Sequence, residues 1–286
     1  MESLKWPLKK LDKLQQRFKP TAFAVAVIKK YNDDDGGRLA ALITYYGFLS
    51  LFPLLLVATS AIHLFLGSFE GLQDRIIDGI NTYFPAMSDA IQKSIKGFPG
   101  SGLALVFGTI ITIYGARGGA ATIRFAFNQI WNVPKQKQLT FPLSVIHSLL
   151  VALVAGGGLV LAAVLSSYAA GLTDAFVYRL IPLTISFLIL VGAFYLVFSL
   201  SINSTEPTRK DLLISATLAA IGVQILQLIG VYLVTHQLKS LSSLYGTFAV
   251  VLGLLFWIYL QVQVLLLAAF AGAVHARKLW PRSLIG

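Results

Sequence analysis

The stretch LYGTFAVVLGLLFWIYLQVQVLLLAAFAGAV, residues 244–274, runs for 31 residues without a Lys, Arg, Asp or Glu. A bilayer core about 30 Å thick needs about 20 apolar residues in a helix, so this block is long enough to cross with some tilt. Working outward, five further blocks qualify as spans: Leu39–Leu66, Gly102–Ala116, Leu143–Ser166, Ile181–Ile202 and Leu212–Thr235. Gly102–Ala116 is the weak one, short and ending at Arg117, and a re-entrant piece is its other reading. With 56% hydrophobic and 12% charged residues and a mean hydropathy of +0.75, the composition excludes an ordinary soluble domain. The expected fold class is an all-α polytopic membrane protein with six transmembrane helices plus interfacial amphipathic helices. Its parts are an N-terminal arm (1–38), a membrane domain (39–275) and a short tail (276–286).

Charge sets the orientation. In a six-span arrangement the segments 1–38, 117–142, 204–211 and 275–286 share one side and carry eighteen Lys and Arg, against five on the other side: Arg75, Lys93, Lys96, Arg179 and Lys239. Basic loops stay in the cytoplasm, so both termini are expected there. Dropping the second span degrades this contrast. The net charge of +11 belongs to loops between apolar blocks, which favours orientation over nucleic-acid binding. The first 20 residues are basic and lack the apolar core of a cleavable signal peptide. Thr21–Ile28, followed by Lys29 and Lys30, reads either as a short helix at the inner interface or as a solvated arm. Residues 67–100 read as two short amphipathic helices on the outer surface, from Leu72, Ile76, Ile80 and Tyr83 and then Met87, Ile91 and Ile95.

A polar side chain in hydrocarbon must find a partner or face water. Polar residues recur on one face of several spans: Tyr46, Ser50 and Pro53 on the first; Tyr195, Ser199 and Asn203 on the fourth; Gln224 and Gln227 on the fifth; Tyr245, Tyr259 and Gln263 on the sixth. They are candidate cavity or transport residues, and helix-to-helix hydrogen bonding is the alternative. Arg117, Arg124 and Asn128 align on one face if the second span continues as a helix, and form a candidate anion site at the cytoplasmic mouth. Gly118–Gly119 would undo that alignment if it broke the helix, and snorkelling of the arginines is the plainer reading. Gly115 and Gly119 form a GxxxG pair, a packing signal first and a homo-oligomer seam second.

Catalytic patterns are missing. His63, His147, His236 and His275 are isolated, and there is no cysteine. No GxSxG elbow or phosphate loop occurs, and no span carries an acid in its middle. Catalytic residues, metal and cofactor are therefore all read as none, and the protein as not an enzyme. Asp33–Asp35 before Gly36–Gly37 reads as a solvated loop leading into the first span.

Three patches carry a resemblance: ALITYYGFLSLFPLLL at Ala41–Leu56, Asn128–Gln129–Ile130–Trp131, and LYGTFAVVLGLLFWIYL at Leu244–Leu260. Together they resemble the YihY/BrkB family of bacterial inner-membrane proteins, once mislabelled as ribonuclease BN. The resemblance covers about residues 38–278 and implies six spans, cytoplasmic termini and the cytoplasmic (inner) membrane. Family members usually carry Gly-Ala-Glu near the end of the last span. Here the stretch reads Ala268–Ala269–Phe270, so no role of that acid is carried over.

The first functional expectation is an inner-membrane transporter or flippase-like protein for an amphiphilic, anionic envelope lipid or solute. The alternative is a non-transporting scaffold or assembly factor in envelope biogenesis. Expected partners are membrane lipids and an anionic amphiphile, without nucleic acid.

Overall fold

The computed structural model describes residues 19–65, 102–170, 176–204, 206–233 and 247–281. The described residues form seven α-helices and no strand: α1 (Lys19–Asp33), α2 (Gly36–Phe65), α3 (Gly102–Ile130), α4 (Leu143–Ala170), α5 (Phe176–Ser201), α6 (Arg209–Leu233) and α7 (Thr247–Ala276). Within them, Leu143–Ala162, Ile181–Ser201, Arg209–Gln227 and Val251–Ala276 are long and apolar enough to cross a membrane. Residues 67–100, read from sequence as two outer amphipathic helices, and Tyr245 lie outside the described residues.

From α2 to α7 each helix packs on the next in chain order, and α7 returns to pack on α2. Six helices thus close a ring, which α3 crosses to touch α5 and α7; α1 lies on α7 and α2. Small residues bring the backbones together. A Cβ on Gly158 would run into Ala193 of α5, and one on Gly222 into Val264 of α7. The main core gathers Phe127, Ile130 and Trp131 from α3 and its end, Phe198 from α5, and Leu266, Phe270 and Val274 from α7, all at most 1% exposed.

Two findings decide between alternatives that the sequence leaves open. The helix of the second span runs through Gly118–Gly119 without a break to Ile130, so Arg117, Arg124 and Asn128 share one continuous helix. Residues 19–33 form a helix docked on α7 rather than a loose arm: Phe23 meets Trp280 edge to face at 5.3 Å, and Tyr31 meets Phe270 at 5.5 Å. Lys30 is 4% exposed and paired with Asp34 at 2.5 Å, so it does not reach for headgroups. Asp35, at φ 56°, then turns the chain into α2. A side chain on Gly36 would collide with the Tyr31 ring.

One end of the bundle is tied together by polar contacts among the basic segments. α3 ends with Asn132 at φ 47°, Val133 N–H donating to the Asn128 carbonyl and Asn132 N–H to the Gln129 carbonyl. Lys278 ends α7 in the same way, at φ 52°. This left-handed stop satisfies carbonyls that a helix end leaves free. Arg277 then donates to the Trp131 carbonyl at 2.7 Å and pairs with Glu206 at 2.7 Å, and His275 Nδ1 lies 2.6 Å from Asp211 Oδ1. Asp211 also accepts from the Thr208 N–H at 2.9 Å and hydroxyl at 2.6 Å, a capping arrangement that opens α6. Thr208→Ala is expected to cost about 1 kcal/mol, read as a lowered thermal unfolding midpoint in detergent.

Candidate functional site

Arg124 sits two turns before the end of α3 and is 6% exposed. Its Nη1 donates to the Ser144 carbonyl at 2.6 Å and the Ser148 hydroxyl at 3.2 Å on α4. Its Nη2 donates to Asn203 Oδ1 at 3.4 Å, just past the end of α5. Asn128, one turn further along α3, accepts from the Asn203 N–H at 2.8 Å. Its Nδ2 faces three acceptors: the Arg124 carbonyl at 2.8 Å, and the Ser201 carbonyl and Asn203 Oδ1 at 3.1 Å each. An amide carries two N–H groups, so at least one of them is shared. Arg124 and Asn128 thereby join α3, α4 and the end of α5.

No carboxylate takes part. The ion pairs among the described residues include Lys30–Asp34, Arg38–Asp35, His275–Asp211 and Arg277–Glu206, and none of these involves Arg124. Arg124 is therefore a buried cation held by neutral acceptors, and its buried Nε has no hydrogen-bond partner. Such a group carries a net desolvation cost of order several kcal/mol, which a counter-anion would offset. Arg124 opens on a pocket of about 150 Å³ that Asn128, Gln138, Ser144, Ser148 and Asn203 also line. Arg117, two turns earlier on α3, is exposed and stands at the edge of that pocket. On its other side, between α2 and α3, lies a groove of about 760 Å³ lined mainly by apolar and aromatic side chains.

Of the stripe residues, only Asn203 joins this constellation. Tyr46 lines the α2–α3 groove, while Ser50 donates to the Gly47 carbonyl of its own helix at 2.8 Å. Pro53 lies inside the unbroken helix α2. Tyr195 and Tyr259 are half-buried against the main core, and Ser199 is exposed. Gln263 accepts from the Tyr31 hydroxyl at 2.6 Å. Burial pushes that hydroxyl above its ordinary pKa, which keeps it a donor. Gln224 and Gln227 are half-buried on α6, and Gln227 Nε2 has no hydrogen-bond partner. Tyr245 lies outside the described residues. Ser144, Ser148, Gln138 and Tyr31 were not singled out from sequence. The i, i+4 serines at the start of the third span were the readable signal for the first two.

A ring of long apolar helices with a polar, basic end defines a polytopic helical membrane protein. The chain belongs to the BrkB virulence factor family, whose sequence profile matches residues 27–283. It is 27% identical over 261 residues to a UPF0761 membrane protein of Chromohalobacter salexigens, covering 85% of this chain and 60% of that protein. It is 26% identical over 284 residues to a UPF0761 membrane protein of Nitrosospira multiformis, covering 96% of this chain and 65% of the other. Against the inner membrane protein YhjD of Escherichia coli strain K12 the identity is 25%, with coverages of 89% and 81%. The chain thus spans roughly three-fifths of the length of the first two relatives. It is a multi-pass protein of the bacterial cytoplasmic (inner) membrane. No solved structure matches it.

Proposed function

We propose that this chain is a transporter or flippase-like protein for an amphiphilic, anionic envelope lipid or solute, with six spans and both termini in the cytoplasm. The observation that carries the reading is Arg124, a buried guanidinium with no carboxylate partner among the described residues, opening on a polar pocket beside exposed Arg117. Fixed guanidinium forks suit phosphate or carboxylate oxygens. The basic end on which the pocket lies gathers the segments that carry most of the Lys and Arg, which supports a cytoplasmic mouth. The role is binding and transfer rather than catalysis.

The test is translocation in liposomes holding the purified chain, with labelled anionic lipids, zwitterionic lipids and small anions as probes. Translocation of an anionic probe above protein-free vesicles is expected, and Arg117→Ala is expected to slow it about fivefold while a neutral probe changes less. Equal loss for both probes removes the anion site, and no transport of any class removes the transporter.

A second reading, a non-transporting scaffold or assembly factor, draws on one observation. Several span hydroxyls hydrogen-bond within their own helices, Thr44 to the Ala40 carbonyl, Ser50 to Gly47 and Thr122 to Gly118. In native membranes, stoichiometric cross-linking to one envelope partner without translocation favours it.

A further inference from the structure

The polar pocket and the apolar groove are two sides of one helical ridge. Arg117, Ala121 and Phe125, spaced i, i+4, i+8 on α3, line both cavities. On one side of the ridge the guanidinium of Arg124 is more than nine-tenths buried, with its Nε unpartnered. On the other side Leu42, Tyr46 and Leu49 of α2 face Ile111 and Tyr114 of α3 across the groove. These groove side chains are 38–76% exposed, so the groove opens outward from the ring. Its volume of about 760 Å³ is within the usual ligand-site range of about 300–1,000 Å³. Among the described residues neither cavity is lined by an Asp or Glu, while Arg117 lines both.

An apolar groove beside a small cationic pocket, with Arg117 lining both, matches a molecule with a hydrocarbon tail and a compact anionic head. A soluble anion would use the pocket and leave the groove without an occupant. We infer that the α2–α3 groove is a lateral lipid-binding site whose occupant is an acyl-chained lipid with a net-anionic phosphate head, the chain lying between α2 and α3 and the phosphate between Arg117 and Arg124. This deepens the transporter reading and rests on it for its purpose, but it makes a separate statement about where a lipid binds. Arg117 is the selecting residue at the threshold, and Arg124 is the fixed charge beyond it.

The experiment uses the full chain in phosphatidylcholine nanodiscs with a trace of phosphatidic acid carrying a photoreactive group in its acyl chain. Adducts are mapped by mass spectrometry. They are expected to concentrate on the groove faces of α2 and α3, about fivefold above the same probe with a phosphatidylcholine head. Arg117→Gln is expected to erase that head-group preference and Arg117→Lys to keep most of it. Ala121→Trp, which fills the shared ridge, is expected to cut groove adducts about tenfold, while Leu188→Trp on the exposed face of α5 leaves them unchanged. Adducts spread evenly over all lipid-facing helices, or equal labelling by the two head groups, overturn the inference. Displacement of the lipid by millimolar inorganic phosphate overturns it in favour of a soluble anion. Groove adducts without liposome translocation uphold the site while the transporter reading falls; translocation without groove adducts does the reverse.

Discussion

Arg124→Ala is expected to reduce translocation of an anionic probe more than tenfold and to lower stability by about 2 kcal/mol. The two effects have different origins. The substitution removes the buried charge that faces the pocket, and it takes one hydrogen bond each from the Ser144 carbonyl and Asn203 Oδ1, which are left to the Ser148 hydroxyl and the Asn128 amide. Arg124→Lys separates them, because an ammonium keeps the charge but cannot span both acceptors as a planar fork does. Lysine should therefore retain anion preference while losing much of the stability, read as thermal unfolding in detergent beside liposome flux. If alanine and lysine variants transport anions equally poorly, the guanidinium acts through geometry alone and the charge plays no selective part.

Gly272→Val is expected to be among the most destabilising single changes in the bundle, by more than about 3 kcal/mol. A Cβ at Gly272 would overlap Ser215 Oγ and lie 3.2 Å from the Asp211 carbonyl oxygen, so α6 and α7 must separate. The backbone carbonyl cannot step aside, whereas the serine can be removed. Gly272→Ala should consequently cost less in a Ser215→Ala background, and that coupling is measurable as a double-mutant cycle of unfolding midpoints. Gly156→Ala supplies the contrast. Nothing lies within 4 Å of a Cβ there, and alanine's better helix propensity makes the change neutral or stabilising by up to about 1 kcal/mol. Similar losses at both glycines would mean that close helix approach does not govern packing here.

The helices were legible because uncharged runs of span length leave little choice of structure. α3 was legible only in part. Hydropathy stops at Arg117, yet the helix continues to Ile130, because Arg124 finds its acceptors on α4 and beyond α5, where no window along one segment can see them. The spacing of Arg117, Arg124 and Asn128 did place all three on one helix. Periodicity also grouped Asn203 with Tyr195 and Ser199, but Asn203 lies past the last turn of α5, where its N–H and side chain are free to meet Asn128. Two of the remaining stripe residues are taken up by partners outside the constellation, Ser50 by the Gly47 carbonyl and Gln263 by the Tyr31 hydroxyl. Tyr31 stayed hidden because it sits on α1, a helix that docks on the last helix of the ring rather than on its sequence neighbours alone.

Closure of the ring by α7 has a consequence for biogenesis. α1 and α2 are the first of the seven helices to leave the ribosome, and the surface they share is α7, the last of the seven to emerge. Until then the Tyr31 hydroxyl lacks Gln263, Phe23 lacks Trp280 and the side of α2 that meets α7 is uncovered, so the nascent intermediate is an open crescent. Completion is therefore a zipping event at the end of translation, and a stalled chain lacking α7 should be the species that quality-control proteases recognise.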